Sequence, residues 1–160
     1  MRPNKKPRPH KSDADLRHEG IILVQNAIKA RSMAEPLIDK YLCNQAAVSD
    51  TNWACYLMQQ SIELALKGLI KYYYKDFREG HFVRHNANIL IDMFGEVKEL
   101  REISDILDEL KTKTSVMLFK WESISRYKDI RVTKDDIEKI DQLTENLVAF
   151  LHRHQYNEEQ

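Results

Sequence analysis

The fold of this chain is decided by residues 49–72, which read SDTNWACYLMQQSIELALKGLIKY. The first four residues of the stretch carry side-chain oxygens that can cap the N-terminus of a helix. Bulky apolar residues then recur at spacings of three, four and seven, namely Trp53, Tyr56, Leu57, Leu64, Ala65, Leu69 and Tyr72. Because this spacing matches the α-helical period, the stretch predicts a long amphipathic helix that is buried along one face.

The same periodicity predicts a helix on the N-terminal side of this stretch. Ser12 and Asp15 have the spacing of a capping box, and apolar residues follow at helical intervals over residues 16–41. Pro36 lies inside this segment and has no backbone N–H to donate. The helix is therefore expected to kink or restart near residues 33–36.

On the C-terminal side, the pattern predicts three further helices. A short one is expected to begin at His85 and to end at Gly95, which would adopt a left-handed conformation. A long one is expected over residues 100–121, where apolar residues follow a near-heptad spacing. The last is expected to begin after a capping residue, Thr133, and to include residues 137–151.

Together, these helices predict the fold class. No stretch alternates apolar and polar residues as a strand does, and beyond residue 11 the only proline is Pro36. The chain is therefore expected to be all-α, an up-and-down bundle of four to five helices joined by short loops. Its two tryptophans, Trp53 and Trp121, are expected to anchor the core.

Charge and proline content divide the chain into a tail and a single domain. Residues 1–11 contain five basic residues, no acidic residue and three of the four prolines. We expect this tail to be disordered, because it has little apolar surface to bury. Contact with RNA or DNA and a simple contribution to solubility are both open for it. The helical domain is expected to span residues 12–155, followed by a C-terminal tail at residues 156–160.

Composition narrows the class of protein further. The longest apolar runs contain only a few residues, far fewer than the roughly 20 of a membrane helix, so no membrane partner is expected. No apolar segment follows the basic N-terminal residues, so no signal peptide is expected. Cys43 and Cys55 are the only cysteines, which argues against a disulfide framework or a cysteine-based zinc site. We expect a soluble, cytoplasmic protein with no metal and no other cofactor.

Three motifs carry a resemblance to a known family. The pattern Gln-Gln-x-x-Glu-x-x-x-Lys occupies residues 59–67, within the helix quoted above. His85 begins the segment His-Asn-Ala-Asn-Ile-Leu, and the pair Arg126 and Tyr127 precedes the last predicted helix. In this order, the motifs resemble the signature helix, the His-x-Leu helix start and the Arg-Tyr pair of the HEPN domain family.

This resemblance implies both a fold and a range of functions. HEPN domains are bundles of four or five helices, commonly dimeric, and they occur beside minimal nucleotidyltransferases and in toxin–antitoxin and defence systems. The resemblance therefore implies a homodimer that binds a nucleotide, RNA or a minimal nucleotidyltransferase partner. It also implies a role in a toxin–antitoxin or stress system.

The residues themselves suggest a ligand site beside these motifs. Glu63 and Lys67 are four apart on one helix face, where they form either an ordinary stabilising pair or, with Gln60, part of a polar groove. Further along the chain, a cationic turn offers guanidinium groups beside an aromatic ring, a combination suited to a phosphate and a base or simply to solvent. The residues of this turn that we select as ligand-binding are Arg126, Tyr127 and Arg131.

Catalysis is left open by the sequence. Many HEPN members are ribonucleases that carry an arginine followed, after four to six residues, by a histidine. Arg126 has no such partner before His152, and Arg78 has this spacing to His85 only across a predicted loop. An active metal-independent ribonuclease is one alternative, in which His85 would act with Arg78, Arg84 or Arg126 across a dimer. Helix capping is the competing role of His85. A purely structural interaction bundle is the other alternative.

Overall fold

The computed structural model describes residues 11–45, 48–73, 82–122 and 132–156. This part of the chain contains six α-helices and, after α3, one 3-10 helix at Lys98–Ile103. The α-helices are α1 (Asp13–Leu42), α2 (Val48–Tyr73), α3 (Val83–Asp92), α4 (Ser104–Glu109), α5 (Lys113–Glu122) and α6 (Lys134–His154). Within these described ranges there is no strand, and the all-α class is confirmed. No helix in them is both long and apolar enough to cross a bilayer.

Helices α1 and α2 form an antiparallel hairpin that carries the rest of the bundle. The Ser61 hydroxyl donates a hydrogen bond to the Ala27 carbonyl at 2.8 Å, which joins the middles of the two helices. Closer to the start of α1, the backbone of Gly20 lies directly against that of Gly68. The absence of side chains at these two positions lets the helices approach until their backbones touch.

Helix α1 begins as the sequence predicts but does not stop where the proline would suggest. The Ser12 hydroxyl accepts a hydrogen bond from the backbone N–H of Asp15 at 3.1 Å and caps the helix. The predicted restart near Pro36 is wrong, since the helix continues through this residue to Leu42. Ala34 and Ile38, on either side of the proline, are buried in the core, and this packing keeps the segment helical.

The long helix predicted over residues 100–121 is divided in the structure. A 3-10 turn leads into α4, and residues 110–112 then separate α4 from α5. The Thr112 hydroxyl donates to the Glu109 carbonyl at 2.7 Å and accepts from the Thr114 N–H at 3.4 Å. These local bonds offer the backbone an alternative to helical pairing, and they explain why a continuous apolar seam does not give a continuous helix.

Helix α3 also differs from its prediction at both ends. It begins at Val83 after an N-cap at Phe82, so the predicted start at His85 is two residues late. It ends at Asp92, with Met93 as C-cap in a right-handed conformation. Gly95 has no positive φ, so its predicted left-handed conformation is wrong.

The two tryptophans, which were both predicted to lie in the core, differ in burial. Trp121 on α5 is 1% exposed and is among the largest fully buried side chains. Trp53, in the second turn of α2, is 53% exposed and packs edge-on against Tyr56 with ring centroids 5.8 Å apart. The prediction of a core role is therefore confirmed for Trp121 and wrong for Trp53.

Helix α6 closes the bundle on the side of α1. Thr133 caps it by accepting a hydrogen bond from the Asp136 N–H at 3.1 Å, as predicted. Arg31 of α1 and Asp141 of α6 form an ion pair at 2.7 Å. Beyond the helix, Gln155 turns the chain through a left-handed conformation, and Tyr156 packs into the core with its hydroxyl 2.9 Å from that of Tyr73.

Another ion pair, between Glu109 and Lys139, ties the end of α4 to α6 and predicts a pH dependence of stability. Hydrogen bonds from Lys139 and then Thr114 lower the pKa of Glu109 below its ordinary value of 4.5. A carboxyl with a lowered pKa in the folded state stabilises the fold above its unfolded pKa and loses that contribution as the pH falls. Glu109→Gln is therefore expected to lower the free energy of unfolding at pH 7 by about 0.2–1 kcal/mol.

Urea denaturation of the wild type and the Glu109→Gln variant at pH 7 and at successively lower pH values measures this effect. The difference in free energy of unfolding between the two proteins should shrink below pH 4.5 and disappear once Glu109 is protonated in the folded wild type. A difference that stays constant down to acid pH would contradict the assignment.

Candidate functional site

A chain of four polar side chains runs along α2. Gln60 Nε2 donates to Gln59 Oε1 at 2.7 Å, and Gln59 Nε2 donates to one carboxylate oxygen of Glu63 at 2.7 Å. The other carboxylate oxygen of Glu63 accepts a hydrogen bond from Lys67 Nζ, also at 2.7 Å. Because Gln59, Glu63 and Lys67 are successively four residues apart, helical geometry alone stacks them on one face. We call these four residues the polar relay.

The polar relay is buried to an unusual extent for charged groups. Gln59 is 1% and Glu63 8% exposed, and Lys67 is more than half buried. Removing a carboxylate or an ammonium from water is costly unless the charge is paired and hydrogen-bonded. The Glu63 carboxylate meets both conditions, because it has an ammonium on one oxygen and an amide on the other. The arrangement is therefore well defined in geometry.

A groove opens between α2, α3 and α5 at the Gln59 end of the polar relay. It has a volume of about 270 Å³ and is lined by Gln59, Phe82, Val83, Arg84, Ser115, Val116, Phe119 and Glu122. Among the lining residues that the structure describes, Gln59 is the only one that is both polar and buried. Most of the other lining residues are apolar, so the groove combines apolar walls with one buried hydrogen-bonding side chain.

Two phenylalanines form the exposed walls of the groove. Phe82 is 60% and Phe119 53% exposed, and Val116 beside them is also exposed. The two rings lie with centroids 5.7 Å apart and planes inclined by 35°. Scattered exposed apolar residues are common on proteins, but a cluster around a concave surface indicates a place where an apolar group binds.

Charged side chains stand at the edge of this groove. Arg84 is exposed in the first turn of α3, whereas Glu122 is half-buried at the end of α5. Arg84 forms no ion pair within the part of the chain that the structure describes. An exposed guanidinium beside aromatic rings suits a ligand that has a planar apolar part and an anionic part.

The structure brings together one half of the predicted ligand site. Gln60, Glu63 and Lys67 are joined in the polar relay, and the predicted ion pair between Glu63 and Lys67 is present at 2.7 Å. The second half, the predicted Arg126, Tyr127 and Arg131, lies outside the described residues. Their part in ligand binding stays a prediction.

Sequence reasoning selected Gln60 and overlooked its neighbour Gln59, which is the member of the polar relay that reaches the groove. Gln59 lies four residues before Glu63 and eight before Lys67, and hence on the same helical face. This spacing was a signal available in the sequence. The groove walls Phe82 and Phe119 had no comparable signal, because they come from different helices and meet only after folding.

His85 occupies a different place from the one predicted for it. It lies exposed inside the first turn of α3, and the N-cap position is taken by Phe82 without a side-chain hydrogen bond. His85 is therefore not the N-cap residue of α3. Its neighbour Arg84 lines the groove, whereas Arg78, the arginine at the ribonuclease spacing, lies outside the described residues.

The described ranges contain no candidate metal site, and one of their two free cysteines is buried. No group of three histidine, cysteine, aspartate or glutamate side chains is placed there to hold a metal ion. Cys55 is fully buried, and burial raises the pKa of its thiol to about 12. Because the thiolate is the reactive form, this cysteine is chemically inert at neutral pH.

Comparison with known proteins gives one finding. A family model described as HEPN domain matches residues 40–155, which include the polar relay, the groove and the whole of α6. The comparisons with curated proteins and with solved structures gave no match.

Proposed function

This chain belongs to the HEPN domain family, and we propose that it is a nucleotide-binding helical module whose ligand occupies the groove between α2, α3 and α5. The ligand is a nucleotide, either free or as one unit of an RNA strand. The observation that carries this proposal is the combination of two exposed aromatic rings, a buried amide and an exposed guanidinium around one groove.

The apolar part of a nucleotide is its base, and the groove offers a surface for it. Phe82 and Phe119 are exposed aromatic side chains on which a base can stack, an interaction worth about 1–3 kcal/mol per base. The groove volume of about 270 Å³ lies just below the usual range for small-molecule pockets, roughly 300–1,000 Å³. A groove of this size suits the base, with the ribose and phosphate outside it.

The anionic part of the ligand finds its partner in Arg84. This guanidinium stands at the groove edge, where it can donate two parallel hydrogen bonds to a phosphate. An arginine guanidinium carries its positive charge at any physiological pH. Binding should therefore weaken as the salt concentration rises, whereas a change of pH near neutrality should not weaken it.

We further propose a homodimer that acts with a minimal nucleotidyltransferase partner in a toxin–antitoxin or stress system. HEPN domains commonly dimerise, and membership of the family supports this part of the proposal. Light scattering of the purified protein, alone and mixed with such a partner, measures both associations. A monomer that binds no nucleotidyltransferase would overturn this part while leaving the groove proposal intact.

Titration calorimetry with AMP and with a short single-stranded RNA tests the groove. Phe119→Ala is expected to weaken binding by about fivefold to 150-fold through loss of stacking. Arg84→Ala is expected to weaken it about tenfold or more, since hydrogen bonds to charged groups are worth roughly 1.5–3 kcal/mol. Binding of AMP but not RNA would identify a free nucleotide as the ligand, and binding of RNA but not AMP would identify a strand. Binding of both would mean that the groove accepts either form. Recovery of intact or cleaved RNA decides the ribonuclease alternative.

Matched controls come from the same chain. Trp53→Ala removes another aromatic side chain that is also 53% exposed but does not line the groove. Arg101→Ala removes another exposed guanidinium, from the 3-10 turn. Both should bind the ligand as the wild type does. Absence of binding in the wild type, or an equal loss in the controls, would disprove the assignment of the groove.

A further inference from the structure

The hydrogen bonds of the polar relay determine which way the Gln59 amide points. A carboxylate only accepts hydrogen bonds, so the Gln59 atom 2.7 Å from Glu63 must be the nitrogen. On the other side, Gln59 Oε1 accepts from Gln60 Nε2, which agrees with this orientation. The usual ambiguity between the oxygen and nitrogen of an amide is thus resolved by chemistry at this residue.

Lys67 supports this orientation of the Gln59 amide. Its ammonium donates to the second oxygen of Glu63 and holds the carboxylate in place. Glu63 and Lys67 do not line the groove, whereas Gln59 does. The two charged residues can therefore act on a ligand only through the orientation of Gln59.

We propose that Glu63 and Lys67 are positioning residues that hold the Gln59 amide in one orientation and so make the groove select between nucleobases. This inference rests on the proposed nucleotide site. Gln59 has one N–H and one oxygen lone pair left over from its bonds in the described part of the chain. The polar relay fixes which of these two groups lies on which side of the amide. They can therefore pair only with a base edge that carries its acceptor and its donor in the matching order.

Adenine and hypoxanthine carry opposite orders on the same edge. Adenine has an acceptor at N1 and a donor at the 6-amino group, whereas hypoxanthine has a donor at N1 and an acceptor at O6. The bases are otherwise identical in shape, so stacking on Phe82 and Phe119 treats them alike. An amide held in one orientation can form both hydrogen bonds with one of these bases. With the other base, donor faces donor and acceptor faces acceptor, so buried polar groups stay unsatisfied.

The test is the ratio of the AMP and IMP dissociation constants. In the wild type the two constants are expected to differ by about fivefold or more, the usual minimum for a two-bond base contact. In Glu63→Gln, the new amide turns its oxygen to Lys67 and its NH2 group to Gln59. Gln59 then has to present its oxygen to residue 63, so the preference should vanish or reverse.

Controls separate this inference from the proposed function. Glu145→Gln makes the same chemical change on the exposed face of α6 and should leave the AMP to IMP ratio as it is in the wild type. If Glu63→Gln does not fold, the double variant Glu63→Gln with Lys67→Met replaces it, because neither new side chain leaves a buried charge unpaired. Its neutral residue 63 can donate or accept, so the ratio should approach one.

Each outcome is decisive. Equal binding of AMP and IMP by the wild type, or an unchanged ratio in the Glu63 variants, would overturn the positioning role while the groove remains a nucleotide site. Failure of the wild type to bind either nucleotide would overturn both proposals together. A wild-type preference that is lost in the Glu63 variants and kept in Glu145→Gln would support the positioning role.

Discussion

Replacing Trp121 by alanine is expected to lower the free energy of unfolding by about 3–5 kcal/mol. The side chain is 1% exposed and lies in the core that α5 shares with α2 and α3. Its removal loses the transfer free energy of a large apolar group and leaves a cavity that the surrounding helices fill only in part. Because a whole domain is stable by only about 5–15 kcal/mol, this variant should be close to the limit of folding.

Urea denaturation followed by circular dichroism measures this loss, and Trp53→Ala is its matched control. Trp53 is the same residue type but 53% exposed, so its replacement should cost about 1 kcal/mol or less, mostly through the contact with Tyr56. Similar losses in the two variants would contradict the packing described for α5. Since Trp121 also precedes Glu122 at the groove, nucleotide binding should weaken in this variant.

Gly20→Ala is expected to be destabilising by about 2 kcal/mol, opposite in sign to the usual effect of this change. In an exposed helix, alanine in place of glycine stabilises by about 1 kcal/mol. At Gly20, however, a Cβ atom would lie 2.7 Å from the Gly68 carbonyl oxygen and 2.8 Å from the backbone nitrogen of Tyr72. Both contacts are with backbone, so α1 and α2 would have to move apart along their interface.

Thermal unfolding compares this variant with Gly95→Ala, the control on the same chain. A Cβ atom at Gly95 would have nothing within 4 Å, and the residue has no positive φ. Gly95→Ala should therefore be neutral or stabilising by a few tenths of a kcal/mol. Increased stability in both variants would show that the two helices are farther apart than described.

The predictable part of this fold is the part that depends on neighbours in the chain. The caps at Ser12 and Thr133 were predictable, because a hydroxyl and the N–H three residues later meet through local geometry alone. The pairing of Glu63 with Lys67 was predictable for the same reason. The prediction of one continuous helix over residues 100–121 failed because two local patterns compete there. The apolar spacing favours a helix, whereas the hydrogen bonds of the Thr112 hydroxyl end α4.

The sequence by itself determined that the chain is helical and that Gln59, Glu63 and Lys67 share a helix face, because the α-helical period is set by residues a few positions apart. Only the tertiary structure decided that Trp121 is buried and Trp53 exposed, and that Phe82 and Phe119 form the walls of one groove. Burial and grooves depend on how helices distant in sequence pack together. No period along a single helix contains that information.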